Sequence, residues 1–190
     1  MPKLLISVPR AAGSVESLLS ELKVLVHAES PSRDRILLER CAGLISAIAE
    51  LHLGVSAQIE IEHGVPRLHF DFGAHPEGRN VLLLCHYDTV WTEGAWCGEM
   101  FVRELDTIRG PGVFDMKSGL LQGLRALRLL REAGASLEGV QLLITGDGEA
   151  GSDTSRGAIE KLAKMAEAVL VLEPSADGGT LKTARKGVST

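Results

Sequence analysis

The sequence is poor in cysteine. Cys41, Cys85 and Cys97 are the only three in 190 residues. An odd, scattered set is no disulfide framework, and without a C-x-x-C pair it is no structural zinc site of the closely spaced kind. No block of like charge occurs, and the net charge is only −5, which argues against nucleic acid or an anionic membrane as partner. No apolar run approaches the roughly 20 residues of a membrane span. The opening MPKLLISVPR has an apolar run too short for a signal peptide. A reducing cytoplasm is therefore the expected compartment. Internal repeats and low-complexity linkers are absent as well. What remains is an ordinary globular chain, 45% hydrophobic and long enough for one domain with its own core.

The hydrophobic pattern predicts an α/β fold. Val15–His27 carries leucines at 18, 19, 22 and 25, a helical stripe. Ser30-Pro31-Ser32 breaks it and offers a cap for a second helix, whose expected apolar face is Ile36, Leu37, Cys41, Leu44, Ile45, Ile48 and Leu51. Alternating residues at 57–62 and at 68, 70 and 72 flank His63-Gly64 and predict a hairpin. Segment 80–85 holds the continuous apolar run Val81-Leu82-Leu83-Leu84, as in a strand buried on both faces, and 140–145 and 168–172 read the same way. Helical segments at 118–133, closed by Gly134, and at 155–167 lie between them. Buried strands alternating with helices imply a three-layer sandwich around a mostly parallel, mixed sheet.

In such sheets ligands bind beyond the carboxyl ends of the strands, and polar residues gather there. The first buried strand runs into Cys85-His86-Tyr87-Asp88-Thr89, the second into Thr145-Gly146-Asp147-Gly148-Glu149, and the third into Glu173-Pro174-Ser175. Asp115 stands just before a helix. Carboxylates collected in a partly desolvated cleft raise one another's pKa, and a divalent cation relieves that repulsion. Imidazole plus carboxylate suits zinc, with cobalt or manganese as alternatives. His86-x-Asp88 places both side chains on one face of an extended strand, so Asp88 is expected to take the second ring N–H of a metal-binding His86. Each residue also has a plainer reading. Asp115 is expected to cap the next helix if no metal binds, Glu149 and Glu173 would be solvated, and His86 would be an ordinary strand-end histidine.

A different chemistry fits the letters Gly146-Asp147-Gly148-Glu149-Ala150-Gly151, a formal G-x-G-x-x-G after a strand, with Glu173 22 residues beyond Gly151 where a ribose-binding acid belongs. Two carboxylates in a pyrophosphate loop oppose the field of the helix N-terminus, however. That dinucleotide reading also leaves His86, Asp88 and Asp115 without a role.

Taken together the motifs resemble the M20 metallopeptidases. His86-Tyr87-Asp88-Thr89-Val90 is similar to that family's H-x-D-T-V. The run from Gly110 to Gly119, GPGVFDMKSG, is similar to its G-P-G-x-x-D-M-K-G-G. Leu172-Glu173-Pro174-Ser175 resembles its E-P-S/T stretch, Glu29-Ser30-Pro31-Ser32 a common opening, and Trp91 the glutamate-carboxypeptidase branch. The resemblance implies a zinc-exopeptidase-like catalytic domain that cleaves a peptide or N-acyl amino acid amide with a metal-held water. It implies two zinc ions in the family, with His86 and Glu173 on one, Glu149 on the other and Asp115 bridging. Asp88 would be the catalytic residue that orients His86, and the Asp115-Met116 peptide would be cis.

Two departures qualify that expectation. The family's D-E-E-x-G-S reads Asp147-Gly148-Glu149-Ala150-Gly151-Ser152 here, so the ligand glutamate is kept as Glu149 while the general base is replaced by Gly148. Loss of a positioned base typically slows a reaction by about 10²- to 10⁴-fold. The second departure is span. Residues 1–190 are read as the N-terminal part of the catalytic domain, without the dimerisation domain through which the family forms homodimers and without the C-terminal segment that brings a further ligand histidine. An impaired hydrolase holding fewer metal ions, or a non-catalytic binding module on the same scaffold, is the resulting expectation.

Overall fold

The structure is a computed structural model that describes residues 15–184. The opening decapeptide and Lys186 to Thr190 lie outside the described residues. Helices α1 (Val15–His27) and α2 (Arg35–Leu53) come first, followed by strands β1 (Gln58–Glu62), β2 (Val65–Asp71) and β3 (Val81–His86). A small hairpin of β4 (Val102–Glu104) and β5 (Thr107–Arg109) leads to a wide turn, Val113–Lys117, and α3 (Ser118–Glu132). The chain then forms β6 (Val140–Thr145), α4 (Arg156–Met165) and β7 (Ala168–Val171).

The main sheet has the order β1-β2-β6-β3-β7. β3 runs parallel to both β6 and β7, whereas β1–β2 and β2–β6 are antiparallel. The sheet is thus mixed, and its parallel part is the part that carries the site. The β1–β2 hairpin turns at His63 (φ 50°) and Gly64 (φ 81°), the two left-handed positions that a tight hairpin needs. Helices α1, α2 and α3 cover one face through Leu25, Leu38, Ile45, Phe70, Leu120 and Leu142. α4 covers the other through Leu162 on Leu82 and Leu143.

Three local expectations need correction. The cap of α2 is Asp34, whose carboxylate accepts the Leu37 N–H at 3.0 Å. The serines expected to cap it are engaged elsewhere, Ser30 Oγ donating to Tyr87 O at 2.7 Å and Ser32 Oγ to Thr89 O at 3.3 Å. The buried face of α2 is Leu37, Leu38, Cys41, Ala42, Ile45, Ala49, His52 and Leu53, while Ile36 and Leu51 face solvent. Small alanines and a histidine paired with Glu21 line the true face, so the larger apolar residues misplace it. Finally, β7 is exposed along its length, because it forms one edge of the sheet.

Candidate metal centre

The register of the parallel strands brings their carboxyl ends level. His86 pairs with Thr145 across β3–β6, and Leu84 with Val171 across β3–β7. Beyond that line the chain delivers Asp88, the 146–149 loop and Glu173. Asp115 arrives from the Val113–Lys117 turn, whose Asp115–Met116 peptide is cis. The turn is held down by the His86 N–H donating to Met116 Sδ at 3.2 Å. α3 packs closely on the exit of β7 because it has glycines there. A Cβ at Gly123 would lie 2.5 Å from Leu172 Cδ1, and one at Gly119 would overlap the Leu172 carbonyl oxygen.

His86 is the hub of the centre. Its Nδ1 lies 3.2 Å from Asp88 Oδ1 and 3.2 Å from the Asp88 carbonyl oxygen. Its Nε2 lies 3.3 Å from Asp115 Oδ1 and 3.3 Å from Glu173 Oε1. Atoms of His86, Asp115 and Glu149 lie within 4.8 Å of one another. The structure thus brings together the residues singled out in the sequence, with Asp88 on the far side of the ring. Asp88 is fully buried, and its carboxylate accepts the Gly148 N–H at 2.8 Å and the Glu149 N–H at 3.1 Å.

The electrostatics describe a site crowded with like charge. Burial pushes the Asp115 and Glu149 carboxyls up, and neighbouring carboxylates push them further, Glu173 acting on Asp115 and Asp115 on Glu149. Burial acts to lower the His86 pKa, but the hydrogen bonds and charges of Asp88 and Glu173 outweigh it and raise it to about 10. Donor atoms around one tetrahedral zinc stand about 3.3 Å apart, given bonds of about 2.0–2.1 Å. The two separations from His86 Nε2 match that spacing, and the donor set of one imidazole and carboxylates suits the same ion. The residues present therefore fit a divalent cation.

Two residues of the 147–149 loop are set differently. Asp147 is 3% exposed and its carboxylate accepts the Thr154 N–H and hydroxyl, both at 2.8 Å, the Ser155 N–H at 3.1 Å and the Ser155 hydroxyl at 2.6 Å. These bonds tie it to the residues just before α4. Gly148 has no side chain, and a Cβ on it would lie 2.6 Å from His86 Cδ2 and 2.7 Å from His86 Cβ.

Sequence reasoning missed the walls of the site. A cleft of about 310 Å³ opens beside Asp115 and Glu149, lined also by Trp91, Trp96, Gly112 and Phe114. The two indoles meet edge to face with centroids 4.8 Å apart, and Trp96 is fixed by its Nε1–H donating to Glu99 O at 3.2 Å. Trp96 carries no sequence signal beyond being an apolar residue near a motif, and Phe114 stands at a variable position within one.

With this geometry in hand, residues 82–185 match the sequence profile of peptidase family M20/M25/M40. The chain belongs to that family. It is 40% identical over 102 residues to carboxypeptidase G2 of Pseudomonas sp. (strain RS-16), a stretch covering 53% of this chain and 25% of that protein. Human carnosine dipeptidase 1 shares the fold with a TM-score of 0.69 at 20% identity, over 83% of this chain and 38% of that one. The M20 family metallo-carboxypeptidase Sso-CP2 from Sulfolobus solfataricus gives 0.59 at 26%, over 80% and 36%. The chain thus spans about a quarter of the length of the curated relative it matches. No described helix is long and apolar enough to cross a membrane.

Proposed function

We propose that this chain carries the metal-holding half of a hydrolase site for the amide bond of a small peptide or N-acyl amino acid, in the manner of a carboxypeptidase. The observation that carries this reading is the convergence of Asp115 and Glu173 on His86 Nε2, each at 3.3 Å. His86, Asp115, Glu149 and Glu173 would hold the ion, with zinc favoured and cobalt or manganese as substitutes. A divalent ion bound there supplies a Lewis acid for a carbonyl oxygen and makes water a better nucleophile at neutral pH. Asp88 accepts from the His86 ring and fixes its tautomer, so that Nε2 faces the ligand position. The aromatic cleft beside Asp115 and Glu149 suits an apolar part of the substrate and keeps water from it.

Gly148 supports a second reading, a site that holds metal with little turnover. The group that would take a proton from water in other family members has no counterpart there, and Asp147 is fully occupied at α4. On this reading the one imidazole and three carboxylates of the described residues hold a single ion. The test is metal analysis of the purified 190-residue protein followed by assay with zinc or cobalt on N-acyl amino acids, glutamyl amides and dipeptides. One bound ion and turnover far below the roughly 1 per second of an ordinary enzyme are expected. Turnover in the usual range would refute impairment. Tight nicotinamide-dinucleotide binding without metal uptake would refute the hydrolase reading altogether.

A further inference from the structure

Lys117 is 1% exposed and takes no part in the chemistry above. An isolated ammonium in a core is costly unless its protons find acceptors. Here Nζ donates to Leu25 O at 2.8 Å and to Ala28 O at 3.1 Å. Both carbonyls lie at the C-terminal end of α1 (Val15–His27), where the last carbonyls have no partner inside the helix and where a cation is favoured by the helix dipole. The Lys117 N–H donates to Gly112 O at 2.9 Å. Its stem passes under Gly112, where a Cβ would lie 3.4 Å from Lys117 Cδ and Cε and 2.7 Å from Thr89 Cγ2. Gly112 has φ 67°, so this close crossing uses a residue with no side chain in a conformation suited to it.

The segment that Lys117 grips continues into Ser30, which is hydrogen-bonded to the residues just beyond β3. Ser30 O accepts the Thr89 N–H at 2.8 Å, and Ser30 Oγ donates to Tyr87 O at 2.7 Å. One ammonium therefore ties the turn that carries Asp115 to the same short stretch that brackets Asp88. We propose that Lys117 is a positioning residue for the metal centre, setting the distance between Asp115 and His86 by anchoring the Val113–Lys117 turn to the end of α1. The inference rests on the metal-site reading for its functional meaning, but the tether itself is a property of the metal-free fold.

The test compares Lys117→Met, which keeps the length of the side chain and removes its donors, with Leu53→Ala, a core change at the far end of α2. Both are made in the 190-residue protein and measured below the melting temperature of the weaker variant. Loss of a group that orients ligands typically weakens metal binding by about 10- to 100-fold. That loss is expected for cobalt binding by calorimetry in Lys117→Met, with cobalt affinity unchanged in Leu53→Ala despite its lower melting temperature. In the metal-free proteins, amide exchange should quicken at residues 24–28 and 113–117 in Lys117→Met alone. Unchanged cobalt affinity in Lys117→Met, or a loss no greater than that of the control, overturns the proposal. If the wild-type protein takes up no cobalt, the hydrolase reading fails. The exchange pattern then decides the tether, local acceleration supporting it and none overturning it. Should Lys117→Met not fold, the ammonium resonance of Lys117 in the wild-type protein replaces it: a shift on saturation with zinc is expected, and its absence overturns the proposal.

Discussion

Gly148 lies against the imidazole of His86, leaving no room for a Cβ between its backbone and the ring atoms Cγ and Cδ2. The lack of a side chain at 148 is therefore more than a deletion, because the ring of His86, a proposed metal ligand, takes up the space. Gly148→Ala should displace His86 and cost about 1–3 kcal/mol by overpacking, read by urea denaturation, together with a loss of cobalt affinity. Gly148→Glu should likewise weaken metal binding and leave turnover low. Full recovery of turnover in Gly148→Glu would show that the 147–149 loop moves aside freely and that the absent carboxylate was the sole defect.

The pH dependence of the metal-free protein follows from the same crowding. The His86 pKa stands at about 10 in the folded protein against an ordinary 6.5. A raised pKa means that the folded state holds the proton more tightly, so its stabilising contribution is complete below pH 6.5 and is lost as pH rises through about 10. The raised Asp115 and Glu149 carboxyls act in the same direction at lower pH. Urea midpoints for the metal-free chain should therefore fall from pH 6 towards pH 10. His86→Asn should flatten the upper part of that curve. Metal binding requires the neutral imidazole, so zinc affinity should rise over the same window with release of a proton, measurable by calorimetry in buffers of different ionisation enthalpy. A midpoint that climbs with pH between 6.5 and 10 would contradict this account.

Much of the architecture was legible because hydrophobic period and turn chemistry are local signals. The hairpin at His63-Gly64, the three parallel strands and α3 with its closing Gly134 (φ 78°) follow from residues near one another in the chain. The grouping of the candidate residues was legible because the parallel strands of such a sheet end at one edge, where His86 closes β3 and Glu149 and Glu173 follow β6 and β7. What was not legible depends on contacts distant in sequence. The α2 cap passed from Ser30 and Ser32 to Asp34 because Tyr87 and Thr89 compete for the serines. Lys117 is a plain letter in a motif until α1 is placed above it. The packing of His86 on Gly148 joins positions 62 residues apart.

Asp147 makes a further distinction possible. Its carboxylate accepts four hydrogen bonds from Thr154 and Ser155, the work of a cap that organises the loop and the start of α4. Asp147→Ala should lower stability by about 2–3 kcal/mol, since buried donors lose a charged acceptor, while cobalt affinity changes much less. If Asp147 served instead as a substitute base, Asp147→Asn would remove residual turnover with stability intact. Paired denaturation and single-turnover measurements separate the two outcomes.

Asp88 provides the sharpest test of how the centre is held. Its two oxygens are both used, Oδ1 by the Gly148 N–H and Oδ2 by the Glu149 N–H, and Oδ1 also lies 3.2 Å from His86 Nδ1. One carboxylate thus fixes the ring of one expected ligand and the backbone of another. Asp88→Asn keeps the volume but turns one acceptor oxygen into a donor NH₂, so one of the two N–H groups loses its partner or the imidazole is left with the Asp88 backbone carbonyl alone. Zinc and cobalt affinity should fall by about 10- to 100-fold. The pH window of the metal-free protein should move as well, because Asp88 is a principal cause of the raised His86 pKa. The His86 ring, followed by its carbon-bound proton resonances, should then titrate at a lower pH in Asp88→Asn than in the wild-type chain. An Asp88→Asn protein that binds metal and titrates like the wild type would show that the Asp88 carboxylate is a filler of the strand end, with His86 held by its other contacts.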